Sequence, residues 1–282
     1  MVRVTLVPAI VLGQLLLMLI IYLSFVRNYQ KCPEILPPLA SKCELSLFES
    51  DGYICESDAV WNERKRTYHI QDDENMIPHN SSFFFLDNWT QDFHCSNSRR
   101  IGSPGEGGKW VCDPYRLKSY PNCLVYSAGS NGEFSFEIEM KNSMPHCEIH
   151  TFDTDFHKYP KNICTFHTIK LGNGAEGSYS KNWTAILHEL NHTKRSVDIF
   201  KIDIEGGEYE FFPLIFASDQ STFPRQILVE LHPTNNFDVH AFFRMLRKNG
   251  YVIFSKEQNL LAGQYYFEYS FLKLNKRFFV RS

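Results

Sequence analysis

From Cys123 to Leu274 one rhythm repeats: a short apolar run, then a stretch of helical periodicity or loop. Runs of that length, bounded by turn residues, read as buried strands. They are Cys123–Ala128, Cys147–Asp153, Cys164–Leu171, Val197–Ile204, Gln226–His232, Tyr251–Glu257 and Phe267–Leu274. Helices are expected over Gly132–Lys141, Thr184–Leu190, Tyr209–Phe216 and Val239–Asn249. Such alternation predicts an α/β fold, a mostly parallel sheet covered on both faces. A short loop joins the last two runs, which predicts a C-terminal antiparallel hairpin. Five β/α steps closed by a hairpin give a Rossmann-like, seven-stranded sheet, whose ligand lies beyond the carboxyl ends of its strands.

The chain ahead of Cys123 is different. Val4–Val26 carries no charge, and as a helix it would span roughly 34 Å, enough to cross a bilayer. We read residues 4–26 as a transmembrane signal anchor after a short cytoplasmic end at 1–3. The alternative is a cleaved signal peptide and a secreted protein. Arg3 on one side and Arg27 and Lys31 on the other leave orientation open. The eight cysteines, an even count without C-x-x-C spacing, point to disulfides in an oxidising lumen. Their pairing is not readable, and Cys123, Cys147 and Cys164 are equally consistent with small buried residues. Sequons at Asn80, Asn88, Asn182 and Asn191 agree with a glycosylated lumenal domain. Together these predict a type II membrane protein of the secretory pathway, of the Golgi kind, with a proline-rich stem and cap over 27–99 and a catalytic domain over 100–282. Hydrophobic residues make up 43% of the chain, enough for a packed core. A net charge of −3 without a long basic run argues against nucleic acid as a partner.

Three constellations can carry chemistry. In "CLVYSAGSNGEFSFE" a strand turns at Gly129 and Gly132 into a helix, which lets backbone approach a ligand closely. In "CEIHTFDTDF" Asp153 ends the second strand, at the spacing from the glycine turn where a carboxylate accepts hydrogen bonds from ribose hydroxyls. Asp153-Thr154-Asp155 is also the acid-x-acid pair with which a lumenal glycosyltransferase would hold a metal and a nucleotide diphosphate. The third is "VDIFKIDIEGGEYEFF", where a strand expected to be apolar carries Lys201, Asp203 and Glu205. Alternation puts the three on one side, with the lysine compensating the carboxylates.

"KIDIEGGE" resembles the hallmark of FkbM-type methyltransferases, roughly K-x-D-x-E-G-x-E. "GEGGKWVCDP", "VYSAGSNGEFSFE", "HTFDTDF", "FHTIKLGNG", "ILVELH" and "EYSFLKL" follow in the order of the methyltransferase-like protein 24 group, over about residues 100–274. The resemblance implies S-adenosylmethionine as cofactor, contacted by Gly129, Gly132, Asp153 and Asp203, with Ser127 where many relatives place an acidic residue. It implies catalytic roles for Asp203, Glu205 and His232, with Glu230 beside them and His167 and Lys170 as weaker candidates. His232 could be a general base, its ordinary pKa being near neutrality, or a hydrogen-bonded structural histidine. No metal is implied. The implied reaction is O-methylation of a glycan or another small acceptor of the secretory pathway. The alternatives are the glycosyltransferase above and a non-catalytic ectodomain, which Ser127 keeps open.

Overall fold

The structure is a computed structural model that describes residues 18–19, 42–71, 84–175, 177–232, 234, 236–261, 263 and 265–280. The described residues from Cys43 onward form one compact unit. Apart from Met18 and Leu19, the apolar run 4–26 lies outside the described residues, as does Asn80. Among the described residues no helix is long and apolar enough to cross a membrane.

Short helices α1 (Glu44–Glu49), α2 (Asp58–Thr67) and α3 (Phe84–Asp87) precede a small hairpin, β1 (Arg99–Ile101) and β2 (Lys109–Val111). The strand–helix rhythm then runs β3 (Leu124–Ala128), α4 (Ser135–Ser143), β4 (Glu148–Asp153) and β5 (Thr165–Thr168). It continues through β6 (Lys170–Leu171), β7 (Ser180–Lys181), α5 (Trp183–Glu189), β8 (Ile199–Ile202) and α6 (Glu208–Phe216). It closes with β9 (Gln226–Leu231), α7 (Val239–Lys248), β10 (Tyr251–Gln258) and β11 (Phe267–Lys273). The main sheet has the order β10-β11-β9-β8-β3-β4-β5, parallel except for β11, which pairs antiparallel with both neighbours. This is the seven-stranded arrangement expected.

Local chemistry explains the elements. In α7, Asp238 caps the first turn by accepting from the Ala241 N–H, and Val239, Phe242, Phe243 and Leu246 form one buried stripe. β3 and β9 are buried at every position because both faces are covered.

Two expectations need correction. The strand expected over 164–171 breaks at Ile169, and Lys170–Leu171 pairs instead with Ser180–Lys181. Residues 154–163, for which no element was expected, run as bends and a turn, with Phe156 and Tyr159 packed on Phe166. Within the expected 27–99 stem and cap, the described residues 43–71 and 84–99 are not a separate stem. Trp61 is fully buried against Phe93 and Phe278, its indole N–H donates to Glu49, and the Lys65 ammonium reaches the Arg277 carbonyl.

Disulfides join Cys43 to Cys55, Cys95 to Cys112 and Cys123 to Cys147, while Cys164 is a buried thiol. Cys123 and Cys147 stand at the starts of β3 and β4. Their bond closes a loop with a sequence separation of 24, so Cys123→Ser with Cys147→Ser should cost about 3 kcal/mol by the chain-entropy account. Urea unfolding of the double variant measures this. Of the sequons, Asn191 is exposed, and Asn182 is half-buried with its side-chain carbonyl capping α5 through the Ala185 N–H. Asn88 is 3% exposed, so in the folded protein its amide has no room for a glycan.

Candidate active site

The first wall is the turn after β3. Gly129 has φ +74°, and a Cβ there would lie 1.5 Å from the Asp203 carbonyl oxygen. Only glycine fits so close an approach. Asp153, at the end of β4, braces the turn. Its Oδ2 accepts from the Ser130 N–H (2.9 Å), the Asn131 N–H (2.9 Å) and the Ser130 hydroxyl (3.0 Å), and its Oδ1 lies 3.3 Å from the Asp155 N–H. Burial alone would raise the Asp153 pKa. These hydrogen bonds outweigh it and hold the carboxyl below its ordinary range. Asp153 therefore shapes the loop besides facing the cleft, a role its spacing alone did not reveal. Ser127 and Gly132 are not on the cleft wall. Ser127 is fully buried mid-strand between Thr151 and Lys201, and Gly132 backs onto His157.

The second wall gathers charge. β8 ends at Ile202, and the Asp203 N–H bonds back to the Ala128 carbonyl at 3.0 Å. The compensating cation is Lys109 from β2, 1% exposed. Its ammonium bonds Glu268 on β11 and lies 3.6 Å from Asp203 Oδ2 and 4.0 Å from Glu230 Oε2. Glu230 and Glu268 are register partners on β9 and β11; two carboxylates so placed require a cation. Lys201, expected to fill that role, is buried with its ammonium 3.3 Å from the Gly129 carbonyl. It holds the glycine turn from the cleft side.

Burial raises the Glu230 pKa, and a hydrogen bond with Asp203 and the charges of Asp203 and Glu268 add to it, taking it to about 8 against the pull of Lys109. For Asp203 burial again raises, but Lys109, the Glu230 hydrogen bond, Lys201 and His232 together hold it below its ordinary range. At neutral pH the pair thus shares one proton, carried by Glu230. A folded pKa raised from 4.5 to about 8 means that the stability Glu230 contributes is full below its unfolded pKa and lost as pH rises through about 8. Glu230→Gln cannot titrate. Relative to wild type it should gain melting temperature from pH 5 to about pH 8 and level off above that, and a difference independent of pH would contradict this.

His232 and Glu205 form the rim. Glu205 has φ +56°, a conformation that costs on the order of 1 kcal/mol outside glycine. It is exposed, with Oε2 3.3 Å from His232 Nε2. Because β8 has ended, strand alternation does not place it beside Lys201 and Asp203. His232 Nδ1 lies 3.6 Å from Glu208 Oε1, which also accepts from the Ile204 N–H at 2.7 Å. Asp203 Oδ1 lies 3.9 Å from His232 Nε2. Burial lowers the His232 pKa, but Glu208 beside Nδ1 and the charges of Glu208, Asp203 and Glu230 carry it up to about 9. The resting imidazole is thus a cation and not the free base expected of a near-neutral histidine.

Both walls bound a cleft of about 710 Å³ at the carboxyl ends of β3, β4, β8 and β9, with His157, Lys170 and Tyr266 at its edges. That volume suits a cofactor-sized ligand. His167 lies outside it, hydrogen-bonded to His150. Asp203, Glu208 and His232 are close enough to share a metal ion, but a protonated His232 opposes that use. Asp153 and Asp155 do not make the metal pair of a glycosyltransferase, since Asp153 Oδ2 is taken up by the glycine turn. Sequence reasoning missed Lys109 as the cation and Glu268 as its partner. The signal was there: charged residues in the strand runs of "VELH" and "FEYSFLKL" demand a buried partner.

A glycine turn at the end of one strand, an acid at the end of the next and a polar cleft between them define a nucleoside-cofactor site on a Rossmann-like sheet. A family profile described as a methyltransferase domain matches residues 44–273. The chain belongs to this methyltransferase family, and the methyl donor of the class is S-adenosylmethionine. The matched segment begins inside what the sequence suggested was a stem. No curated protein matches the chain. Similar solved structures include Aeropyrum pernix fibrillarin with natively bound S-adenosyl-L-methionine (10% identity, 64% of this chain and 84% of that one, TM-score 0.35). Another is M. capricolum TrmK with S-adenosylhomocysteine (11%, 58% and 68%, 0.34). A third is a putative O-methyltransferase from Klebsiella pneumoniae (13%, 57% and 76%, 0.34). These likenesses are distant, and family membership rests on the sequence match.

Proposed function

We propose that this methyltransferase is of the FkbM type, nearest the methyltransferase-like protein 24 group, and methylates an oxygen of a glycan or another secretory-pathway acceptor. The observation that carries this reading is the pairing of a braced glycine turn with an ionised Asp203 and a cationic His232 around one cleft. When bound, S-adenosylmethionine supplies a methyl group already activated on sulfonium, so the protein mainly positions and desolvates. Ser130, Asn131 and the Oδ1 side of Asp153 face the nucleoside. Asp203, ionised beside the glycine turn, offers the anion that Ser127 does not. An acceptor hydroxyl that gains a methyl group becomes strongly acidic, so Asp203 can take its proton despite a lowered pKa. The His232 imidazolium and Glu205 orient the acceptor at the rim.

The three disulfides and exposed Asn191 fit a lumenal domain. Placement behind an N-terminal anchor, in a Golgi-type compartment, is part of the proposal. The test is release of S-adenosylhomocysteine by the glycosylated protein over a panel of sugars and glycans, read as a pH profile. His232→Ala should lower kcat/KM at least about tenfold and remove an alkaline limb near pH 9. Unchanged turnover with the limb intact would take His232 out of the site's chemistry, and no turnover with any oxygen acceptor would sink the acceptor class.

A further inference from the structure

At the opposite end of β4 from the cleft lies a second polar cluster that methyl transfer does not use. Glu148 and His150 lie two apart on β4 and so share a face. His192, in the loop after α5, reaches the same point. His150 Nε2 is 2.8 Å and His192 Nε2 3.4 Å from Glu148 Oε1, and the three ligand atoms lie within 4.8 Å of one another. Metal–nitrogen bonds of about 2.0–2.1 Å at tetrahedral angles put ligand atoms about 3.3 Å apart, so little movement is needed.

The far side of each ring is held. His150 Nδ1 is 2.9 Å from His167 Nε2, and His192 Nδ1 is 2.6 Å from the Tyr126 hydroxyl. Without a metal, His150 Nε2–H donates to Glu148; with one bound, Nδ1–H donation to His167 and Tyr126 would leave both Nε2 lone pairs facing the ion beside Glu148. That is how supporting groups orient metal-binding histidines. Arg195 already shows the centre's preference for a cation: its guanidinium bonds Glu148 and sits 3.0 Å from His192 Nε2. Glu148 is 43% exposed on its side chain, which gives an entry path.

We propose that Glu148, His150 and His192 form a site for a divalent cation of the zinc class, with solvent as the fourth ligand, pinning the 190–195 loop to the sheet. Two imidazoles and one carboxylate suit Zn2+ in hardness and number.

The test adds ZnCl2 to metal-free, glycosylated protein and reads stoichiometry by elemental analysis and stability by thermal melting. One equivalent should bind and raise the melting temperature. His150→Ala and His192→Ala should lose that equivalent, and Tyr126→Phe should weaken it about 10–100-fold. Arg195→Ala should bind tighter by about tenfold or more, because a competing positive charge is gone. His232→Ala should keep the equivalent. Co2+ in place of Zn2+ should give the visible absorption of a four-coordinate site, a readout on wild type that needs no variant to fold. No stoichiometric binding by wild type and Arg195→Ala overturns the proposal, as does binding lost with His232→Ala but not with His150→Ala.

Discussion

Lys109→Met is expected to destabilise the protein by about 3–5 kcal/mol, the cost of removing one partner from a buried ion cluster. The methionine keeps the length of the side chain, so the loss is electrostatic. Three carboxyls lose their cation: Asp203, Glu230 and Glu268. Burial already raises the Glu230 and Glu268 pKa values with Lys109 in place. Without it they rise further, so the variant should suffer most at alkaline pH and recover as acid protonates the glutamates. Urea unfolding at pH 6 and pH 9 measures both terms. A loss under about 1 kcal/mol at pH 9 would mean that Lys109 is no keystone.

Gly129→Ala should abolish cofactor binding while the rest of the sheet still forms. The new Cβ would meet the Asp203 carbonyl oxygen at 1.5 Å and its carbon at 2.6 Å, in backbone that cannot rotate away. The alternatives are to move the glycine turn or to move Asp203, and each takes apart the site; the strain is on the order of 3 kcal/mol. Gly206→Ala is the control. Its φ is also positive, at +93°, but no atom lies within 4 Å of its Cβ. It should cost about 1 kcal/mol and leave binding within a few-fold of wild type. Calorimetric titration of the two variants side by side separates close approach from mere left-handed backbone. Equal loss in both would assign the effect to conformation alone.

The sheet was legible because its signal is local. Seven apolar runs with turn residues between them placed every strand of the main sheet to within a few residues, and α7 shows its buried stripe openly. The break at Ile169 was not legible, because a separate β6–β7 pairing decides it. The site was half legible. Gly129, Asp153, Asp203 and His232 stand at strand ends, where topology alone brings them together. What each does depends on partners distant in sequence: Lys109 on a small hairpin, Glu208 behind His232, three donors on Asp153. Ser127 shows the opposite failure. Its position in the motif suggested a ligand contact, but strand burial turns it inward. The 27–99 segment reads as a stem by its proline and polarity, but Trp61 and Phe93 bury its described residues from 43 onward on the main body.

The central claim is that the cleft beneath Gly129 and Asp203 holds S-adenosylmethionine. The most direct test is calorimetric titration of S-adenosylmethionine into the glycosylated, disulfide-intact protein, with Asp153→Ala alongside. The account predicts one saturable site per chain, lost when Asp153 no longer braces the turn. Folded protein that takes up no S-adenosylmethionine and gains no melting temperature at millimolar cofactor would contradict it.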